Sequence, residues 1–129
     1  MNEQFAFSLE SDKPFDTVVA KIEENVPKHM FRVLAVHDVQ GTLAEKGFER
    51  PPLKIIEVCN AGFAHKALNK ESDVALFMPC RYSVHAEGNK TVVKLARPTM
   101  ISQMMPEAGL DQLASGVEGT LKQIMQESV

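Results

Sequence analysis

The sequence predicts an α+β fold in which a mostly antiparallel sheet carries two long helices on one face, in the order β-α-β(4)-α with short helical insertions. Two patterns support this prediction. Apolar and polar residues alternate near the N-terminus and again between residues 80 and 96, whereas apolar residues recur at helical spacing after residue 14 and after residue 109. The length of 129 residues, of which 44% are hydrophobic, fits one domain over residues 1–129.

The N-terminal third reads as strand, helix and strand. The alternation predicts a first strand over residues 4–10. Asp12 is expected to cap the first helix, which Pro27 ends. The second strand, Met30 to His37, is apolar on both of its alternating sets, so we expect both of its faces to be covered.

The central part predicts two short helices around a buried strand. Residues Leu43 to Lys46 form the first helix, and Gly47 provides a left-handed cap at its end. The strand Leu53 to Cys59 follows. Asn60 then caps a helix over Ala61 to Leu68, because an asparagine side chain accepts a hydrogen bond from a backbone N–H of the first turn.

The next part predicts three strands, Val74–Met78, Cys80–Glu87 and Lys90–Ala96, the last two joined by a two-residue turn at Gly88-Asn89. In the strand that begins at Cys80, the set containing Tyr82 points to one side and the set containing Arg81 to the other.

The C-terminal part predicts a connection over Pro98–Pro106 and a closing helix. The methionines of the connection cover the core or make soft contacts with a haem edge or Cu(I). One apolar stripe marks the closing helix, formed by Leu110, Leu113, Val117, Leu121, Ile124 and Met125.

Composition and missing motifs exclude several function classes. The net charge is −3 with acids and bases interspersed, so no nucleic acid partner is expected. No apolar run is long enough for membrane insertion, and we expect a cytoplasmic protein, or a periplasmic one if a signal peptide precedes it. The sequence has no HExxH, GxSxG, P-loop or GxGxxG motif in a suitable setting, so a protein that is not an enzyme is favoured.

Four segments carry a resemblance to a known family. They are Val36-His37-Asp38-Val39, Cys59-Asn60-Ala61, Ala64-His65-Lys66-Ala67-Leu68 and the strand that starts Met78-Pro79-Cys80-Arg81-Tyr82-Ser83-Val84. Together they resemble the DUF302 family, a domain of unknown function, although Ala61 replaces the proline of the family pattern. The resemblance implies a small α+β fold with a β-α-β(4)-α core that is commonly dimeric, and some members are associated with haem or with sulfur and metal metabolism.

Both cysteines fall in the matching segments, and three interpretations stay open. Cys59 and Cys80 are small buried hydrophobic residues, or they form a disulfide, or they meet Asn60 at a helix N-terminus. In the last case the helix dipole lowers a thiol pKa and creates a reactive or metal-binding thiolate.

Among the four histidines, His65 is the first candidate for an axial haem or metal ligand, because neutral imidazole is a common ligand. The alternative is a solvated side chain at the rim of its helix. His37 is a second candidate because it precedes Asp38, although adjacent residues of a strand point to opposite faces. His29 and His85 are expected at the surface.

These observations predict a dimeric, non-catalytic module that binds haem or a soft metal, with a role in gas or redox sensing. His65 is the expected metal ligand, and the cofactor-binding residues are His65, His37, Cys59, Asn60 and Cys80. The homodimer is expected to pair through the sheet face without helices, because the second and third strands are apolar on both alternations. The alternative is a thiol-based redox or sulfur-transfer protein that uses the two cysteines.

Overall fold

A computed structural model describes residues 5–129 and contains a five-stranded sheet. The strands are β1 (Ala6–Ser11), β2 (Arg32–Asp38), β3 (Leu53–Cys59), β4 (Cys80–Glu87) and β5 (Lys90–Ala96). They lie in the order β1-β5-β4-β3-β2, and every neighbouring pair is antiparallel. The α+β fold predicted from the sequence is confirmed.

Five helices complete the fold of the described residues, 5–129. They are α1 (Phe15–Asn25), α2 (Val39–Ala44), α3 (Ala61–Lys70), α4 (Pro98–Met104) and α5 (Asp111–Ser128). Three short 3₁₀ segments, Pro27–His29, Ser72–Phe77 and Pro106–Ala108, lie between them. Across residues 5–129 no helix combines the length and the apolar composition that a bilayer crossing requires.

The core lies between the sheet and the two long helices, α1 and α5. Ile22 of α1 and Leu121 of α5 are fully buried, and so are Tyr82 and Val84 at alternate positions of β4. The Tyr82 hydroxyl donates a hydrogen bond to the backbone carbonyl of Leu121 at 2.6 Å, which joins the sheet centre to α5. Burial raises the pKa of the Tyr82 hydroxyl, so it stays protonated and donates throughout the ordinary pH range.

The expectation that both faces of the second strand are covered is wrong for a single chain, as β2 shows. This strand forms one edge of the sheet, and within a single chain its two faces are not both covered. Leu34 is 50% exposed and Val36 is 37% exposed, whereas Val33 packs against the core. An irregularity in the register between Val33 and Ala35 shifts the alternation in the middle of the strand.

Two segments adopt a different structure from the predicted one. The strand expected over Val74–Met78 is part of the 3₁₀ segment Ser72–Phe77, where the Glu71 side chain accepts a hydrogen bond from the Asp73 N–H. A short apolar run does not distinguish a strand from a helical turn by periodicity alone. The connection expected over Pro98–Pro106 contains α4, because proline is well tolerated in the first turn of a helix.

Smaller differences concern helix starts. Asp12 does not cap α1, since its carboxylate pairs with the Lys90 ammonium and Pro14 occupies the cap position without a side-chain bond. The short helix expected from Leu43 starts earlier, at Val39, because Asp38 accepts a hydrogen bond from the Gly41 N–H at 3.1 Å. The first strand starts at residue 6, and position 4 of the predicted strand lies outside the described residues.

Candidate functional site

An apolar cavity lies at one end of the sheet, where β3 ends and β4 begins. Helices α3 and α4, the segment Ser72–Phe77 and the first turns of α5 enclose it together with Phe31. Its volume is about 80 Å³. The walls are mainly aliphatic and aromatic, with contributions from Phe63, Val74, Phe77, Ile101, Leu113 and Val117. The described lining contains no Asp, Glu, His, Lys or Arg.

Both cysteines line this cavity. Cys59 is the last residue of β3 and Cys80 the first of β4, and Cys80 pairs directly with Val58 in the ladder. Cys59 therefore lies one position beyond the residue opposite Cys80, and strand alternation gives the two residues opposite sides of the sheet. Both thiols are half-buried and neither is in a disulfide, so the disulfide interpretation does not apply to this structure.

The environment of Cys80 keeps its thiol protonated. The pKa of Cys80 is raised to about 11, mainly by burial and further by the nearby Cys59, while the positive charge of Arg81 opposes both effects in part. Since the thiolate is the nucleophilic form, Cys80 is a weak nucleophile at neutral pH. The Cys80 thiol also packs against the buried core, as the small-hydrophobe interpretation predicts.

Asn60 is the predicted cap of α3 and it joins two further parts of the chain. Its side-chain oxygen accepts a hydrogen bond from the Phe63 N–H at 3.0 Å, and its amide group donates to the Met30 carbonyl at 2.9 Å. The residue thus fixes the end of β3, the start of α3 and the approach to β2. Both ends of the side chain are already bonded, so Asn60 shapes the cavity wall more than it offers a free polar group.

His65 lies outside the cavity. Phe63, Ala64 and Ala67 of α3 line it, and the 3.6-residue period turns His65 to the exposed side of the helix. There its Nε2 atom lies 3.2 Å from the Asn69 side-chain nitrogen. The structure brings Cys59, Asn60 and Cys80 together and leaves His65 apart from them.

His37 is also remote from the cavity. It pairs with Ile55 in the ladder and lies on the sheet face without helices, where its Nε2 atom is 3.1 Å from a carboxylate oxygen of Glu57. Arg81 approaches the other oxygen of Glu57 at 3.8 Å. A carboxylate does orient this histidine, but it comes from Glu57 on the neighbouring strand, because Asp38 caps α2. Within residues 5–129 no three His, Cys, Asp or Glu side chains are grouped so that they would hold a metal ion.

The cavity wall formed by α4 is anchored by a polar cluster that the sequence analysis missed. Glu118 of α5 accepts hydrogen bonds from the Thr99 hydroxyl at 2.6 Å and from the Thr99 N–H at 3.2 Å, and it pairs with the Arg97 guanidinium at 3.1 Å. Burial opposes ionisation of Glu118, but the hydrogen bonds from Arg97 and Thr99 outweigh it and hold the pKa below its usual value. The sequence does contain a signal for this cluster, since Glu118 lies between the apolar residues Val117 and Leu121 of the closing helix and a glutamate there needs a polar partner.

A β-α-β(4)-α domain with an apolar cavity at one end of its antiparallel sheet is the class that the fold and the site define. The chain belongs to the DUF302 family, described as "Domain of unknown function DUF302", which matches residues 7–128. A crystal structure of an uncharacterized conserved DUF302 protein from Bacillus stearothermophilus superposes with a TM-score of 0.92 at 28% identity, over 98% of this chain and 99% of that chain. No curated protein matches this sequence.

The two cysteines are expected to differ in their contribution to stability. Cys80 packs against the core, so Cys80→Ser places a hydroxyl among apolar side chains at a cost of about 1–3 kcal/mol in the free energy of unfolding. Cys59→Ser at the strand end should cost less. Denaturant unfolding of both variants measures the difference, and equal losses would contradict the assignment of Cys80 to the core.

Glu118→Gln should lose stability in a pH-dependent way. The folded-state pKa of Glu118 lies below its usual value of 4.5, so its ionised form stabilises the fold above that value, and this contribution disappears as pH falls through the folded pKa. The stability difference between wild type and variant should thus be larger at about pH 7 than at about pH 3, where less of the folded protein carries the ionised carboxylate. Denaturant unfolding at both values tests this.

Glu23→Gln is the matched control, since Glu23 is an exposed residue of α1. Its effect on the free energy of unfolding should be small at both pH values. A Glu118→Gln penalty that is unchanged in acid would mean that the charge of Glu118 does not anchor α4.

Proposed function

We propose that this protein is a non-catalytic ligand-binding module whose binding site is the cavity at the end of the sheet. The observation that carries the proposal is the cavity itself, an apolar space of about 80 Å³ lined by both cysteines. Small-molecule sites are typically concave and mostly apolar, with a small number of polar groups that set orientation. The polar part of the lining here consists of Cys59, Cys80, Asn60 and Ser102, of which Asn60 and Ser102 already have hydrogen-bond partners within the chain.

The chemistry of the lining supports binding more than catalysis. General acid–base catalysis needs a positioned side chain such as His, Glu, Asp or Lys, and the described lining has none of these. The Cys80 thiol, with a pKa raised to about 11, is not activated as a nucleophile. Thiol-based redox or sulfur transfer through Cys59 and Cys80 stays the alternative, and it would need an activating group that this lining does not offer.

The size of the cavity limits the ligand. Sites for drug-sized ligands enclose roughly 300–1,000 Å³, whereas one water needs at least about 10–15 Å³. A space of about 80 Å³ therefore suits an ion or a molecule of a few atoms. It does not fit a haem, and His65 does not face it. Haem or metal binding at His65 stays a prediction. Because His65 is on the exposed side of α3, such a ligand would bind at that surface and not in the cavity.

Filling the cavity should abolish binding of a small apolar probe. We expect xenon to bind the wild-type protein, as it does in dry apolar cavities of similar character, and to shift the methyl NMR signals of residues around the cavity, among them Val74 and Ile101. Ala67→Leu places a larger side chain in the lining and should remove these shifts.

Ala61→Leu is the matched control on the same helix, because Ala61 is exposed and does not line the cavity. It should leave the xenon shifts unchanged. Shifts that survive Ala67→Leu, or the lack of any xenon response in the folded wild type, would contradict the cavity as the binding site.

We also propose that two copies of the chain pair through the sheet face without helices. Ile55 is only half-buried there and lies between His37 on β2 and Ser83 on β4. Leu34 and Val36 of the adjacent edge strand are also exposed, although Val36 pairs with the buried Ile56 and so lies on the side of the sheet that carries the helices. Apolar surfaces of this kind usually mark an interface, and a twofold dimer is the simplest assembly that covers one. We expect the dimer to be cytoplasmic, where both thiols stay reduced.

Light scattering at micromolar concentration should give twice the chain mass of 14.3 kDa. Ile55→Lys should shift the protein toward the monomer, because it buries a charge in the proposed interface. Leu34→Lys, at the edge of the sheet, is the comparison: dissociation by this variant alone would indicate pairing through β2 edges. A wild-type protein that shows only a 14.3 kDa species would refute the dimer.

A further inference from the structure

Helix α4 is a cavity wall that packs mainly on one other helix. It contributes Pro98, Ile101 and Ser102 to the lining. Its main packing partners are α5 and the segment Pro106–Ala108 that follows it, although α3 and the segment Ser72–Phe77 line the same cavity. Helix α4 therefore faces those two elements across the cavity and does not pack closely on them.

A single carboxylate ties α4 to α5. One oxygen of Glu118 accepts the Thr99 N–H at 3.2 Å and the Thr99 hydroxyl at 2.6 Å, and the Arg97 guanidinium, just before the helix, binds the same carboxylate at 3.1 Å. The Ser102 hydroxyl bonds within α4, to the Thr99 carbonyl at 2.7 Å. Within residues 5–129, no further side chain of α4 forms a hydrogen bond to another element. Glu118 is not part of the described lining, so its contribution to the cavity is the position that it gives α4.

The strands and helices on the other sides of the cavity are held from several directions. Strands β3 and β4 are paired in the antiparallel ladder. The hydrogen bond from the Tyr82 hydroxyl to the Leu121 carbonyl fixes α5 on the sheet. Asn60 caps α3 and also bonds the Met30 carbonyl, so α3 is connected to the segment before β2 as well as to β3.

The segment Ser72–Phe77 is joined to α3 through Glu71. The Glu71 N–H donates to the Ala67 carbonyl at 3.0 Å, and the Glu71 carboxylate accepts a hydrogen bond from the Asp73 N–H at 3.1 Å. Val74 of this segment is buried and lines the cavity. Of the cavity walls in the described part of the chain, α4 is therefore the one whose polar attachment to another element depends on a single side chain.

We infer that α4 is the movable wall of the cavity, and that Glu118 is a positioning residue that sets the largest ligand the cavity accepts by holding α4 on α5. The inference rests on the proposed function, because it concerns the ligands of the same cavity. Pro98 precedes Thr99 and lies in the lining, and Ile101 is within one helical turn of Thr99. A displacement of α4 that widens the cavity therefore moves Thr99 away from Glu118 and breaks its hydrogen bonds.

The size of the cavity defines the class of ligand that this control affects. At about 80 Å³ the cavity is smaller than an apolar cavity of about 150 Å³, which takes up benzene as well as xenon. A ligand of the size of benzene binds to the widened state, so its apparent affinity is reduced by the fraction of molecules in which α4 is displaced. These ligands are uncharged and apolar, since the described lining carries no charged side chain.

Benzene titrations of the full chain, followed by the methyl NMR signals of Val74 and Ile101, test the inference. The wild-type protein should bind xenon and take up benzene only weakly. Glu118→Gln should raise the benzene affinity roughly 10- to 100-fold, because it weakens the charge-assisted hydrogen bonds that keep α4 in place. A residue that contributed to stability alone would not give this gain of binding.

Three variants serve as controls. Asn25→Ala removes the buried hydrogen bond to Ser128 at the far end of α5, so it should lower stability without a gain in benzene affinity. Thr99→Ser keeps the hydroxyl donor and should bind benzene as weakly as wild type does. Thr99→Val removes the hydroxyl and should raise the benzene affinity, which provides a second measurement if Glu118→Gln does not fold.

Amide hydrogen exchange identifies the wall that moves. The Thr99 N–H lies in the first turn of α4 and donates to Glu118, so its exchange reports separation of α4 from α5. It should exchange faster in Thr99→Val and in Glu118→Gln than in wild type. The amides of β4 should keep their wild-type rates in both variants.

Three outcomes would overturn the inference. They are wild-type benzene affinity in both Glu118→Gln and Thr99→Val, an equal gain in Asn25→Ala, and faster exchange that is confined to Ser72–Phe77. The xenon experiment separates this failure from failure of the proposed function. Xenon binding with unchanged benzene affinity would keep the cavity as the binding site and refute the role of Glu118, whereas no response to either probe in any folded variant would refute both.

Discussion

The docking of α5 on the centre of the sheet is the constraint on which the rest of the structure depends. Leu121 is fully buried, and its carbonyl accepts the hydrogen bond of the buried Tyr82 hydroxyl, so the helix is fixed in depth and in rotation at one point. One turn toward the N-terminus, Glu118 holds α4 through Thr99. Val117, beside it, lines the cavity. The core, the α4 anchor and the cavity wall are therefore consecutive parts of one helix.

The other end of α5 is held by polar contacts. The Asn25 side chain of α1 donates to the Ser128 hydroxyl at 3.0 Å, and His29 lies 2.8 Å from a carboxylate oxygen of Glu127. The Ser128 hydroxyl in turn donates to the Ile124 carbonyl, so the buried polar atoms of this contact are satisfied. The helix α5 is therefore held in its middle and at its C-terminal end, and this fixes the direction in which its first turns approach the cavity.

The elements that the sequence predicted best are those with a local chemical marker at each end. Strand β3 ends at Cys59 because Asn60 starts α3, and the β4–β5 hairpin turns at Gly88, whose φ of 61° suits glycine. The segment around Val74 had no such marker, and a run of a few apolar residues fits a strand and a 3₁₀ turn equally well. The sequence did not predict α4, because a proline such as Pro98 indicates a loop as readily as the first turn of a helix.

The candidate site was predictable in part for the same reason. Cys59, Asn60 and Cys80 lie at strand ends that the ladder brings together, so their proximity follows from strand order. The orientation of His65 depends on the rotation of α3 about its axis. Ala64 and Ala67 face inward, and helical geometry places a residue between them on another side. The cavity itself depends on packing among segments distant in sequence, and no local pattern encodes that.

The absence of charged side chains from the described cavity lining affects both the stability of the fold and the kind of ligand that the cavity suits. A lining without carboxylate, imidazole or ammonium groups costs little to bury, and the hydrogen bonds of Asn60 and Ser102 leave no unpaired polar atom in the wall. The same lining gives a charged, strongly hydrated ligand nothing to replace its water. The two cysteines do not change this, because a protonated thiol packs in an apolar wall as a small hydrophobic group. Cys59 and Cys80 therefore leave the cavity neutral, and a neutral apolar lining favours a small uncharged ligand over a hydrated ion.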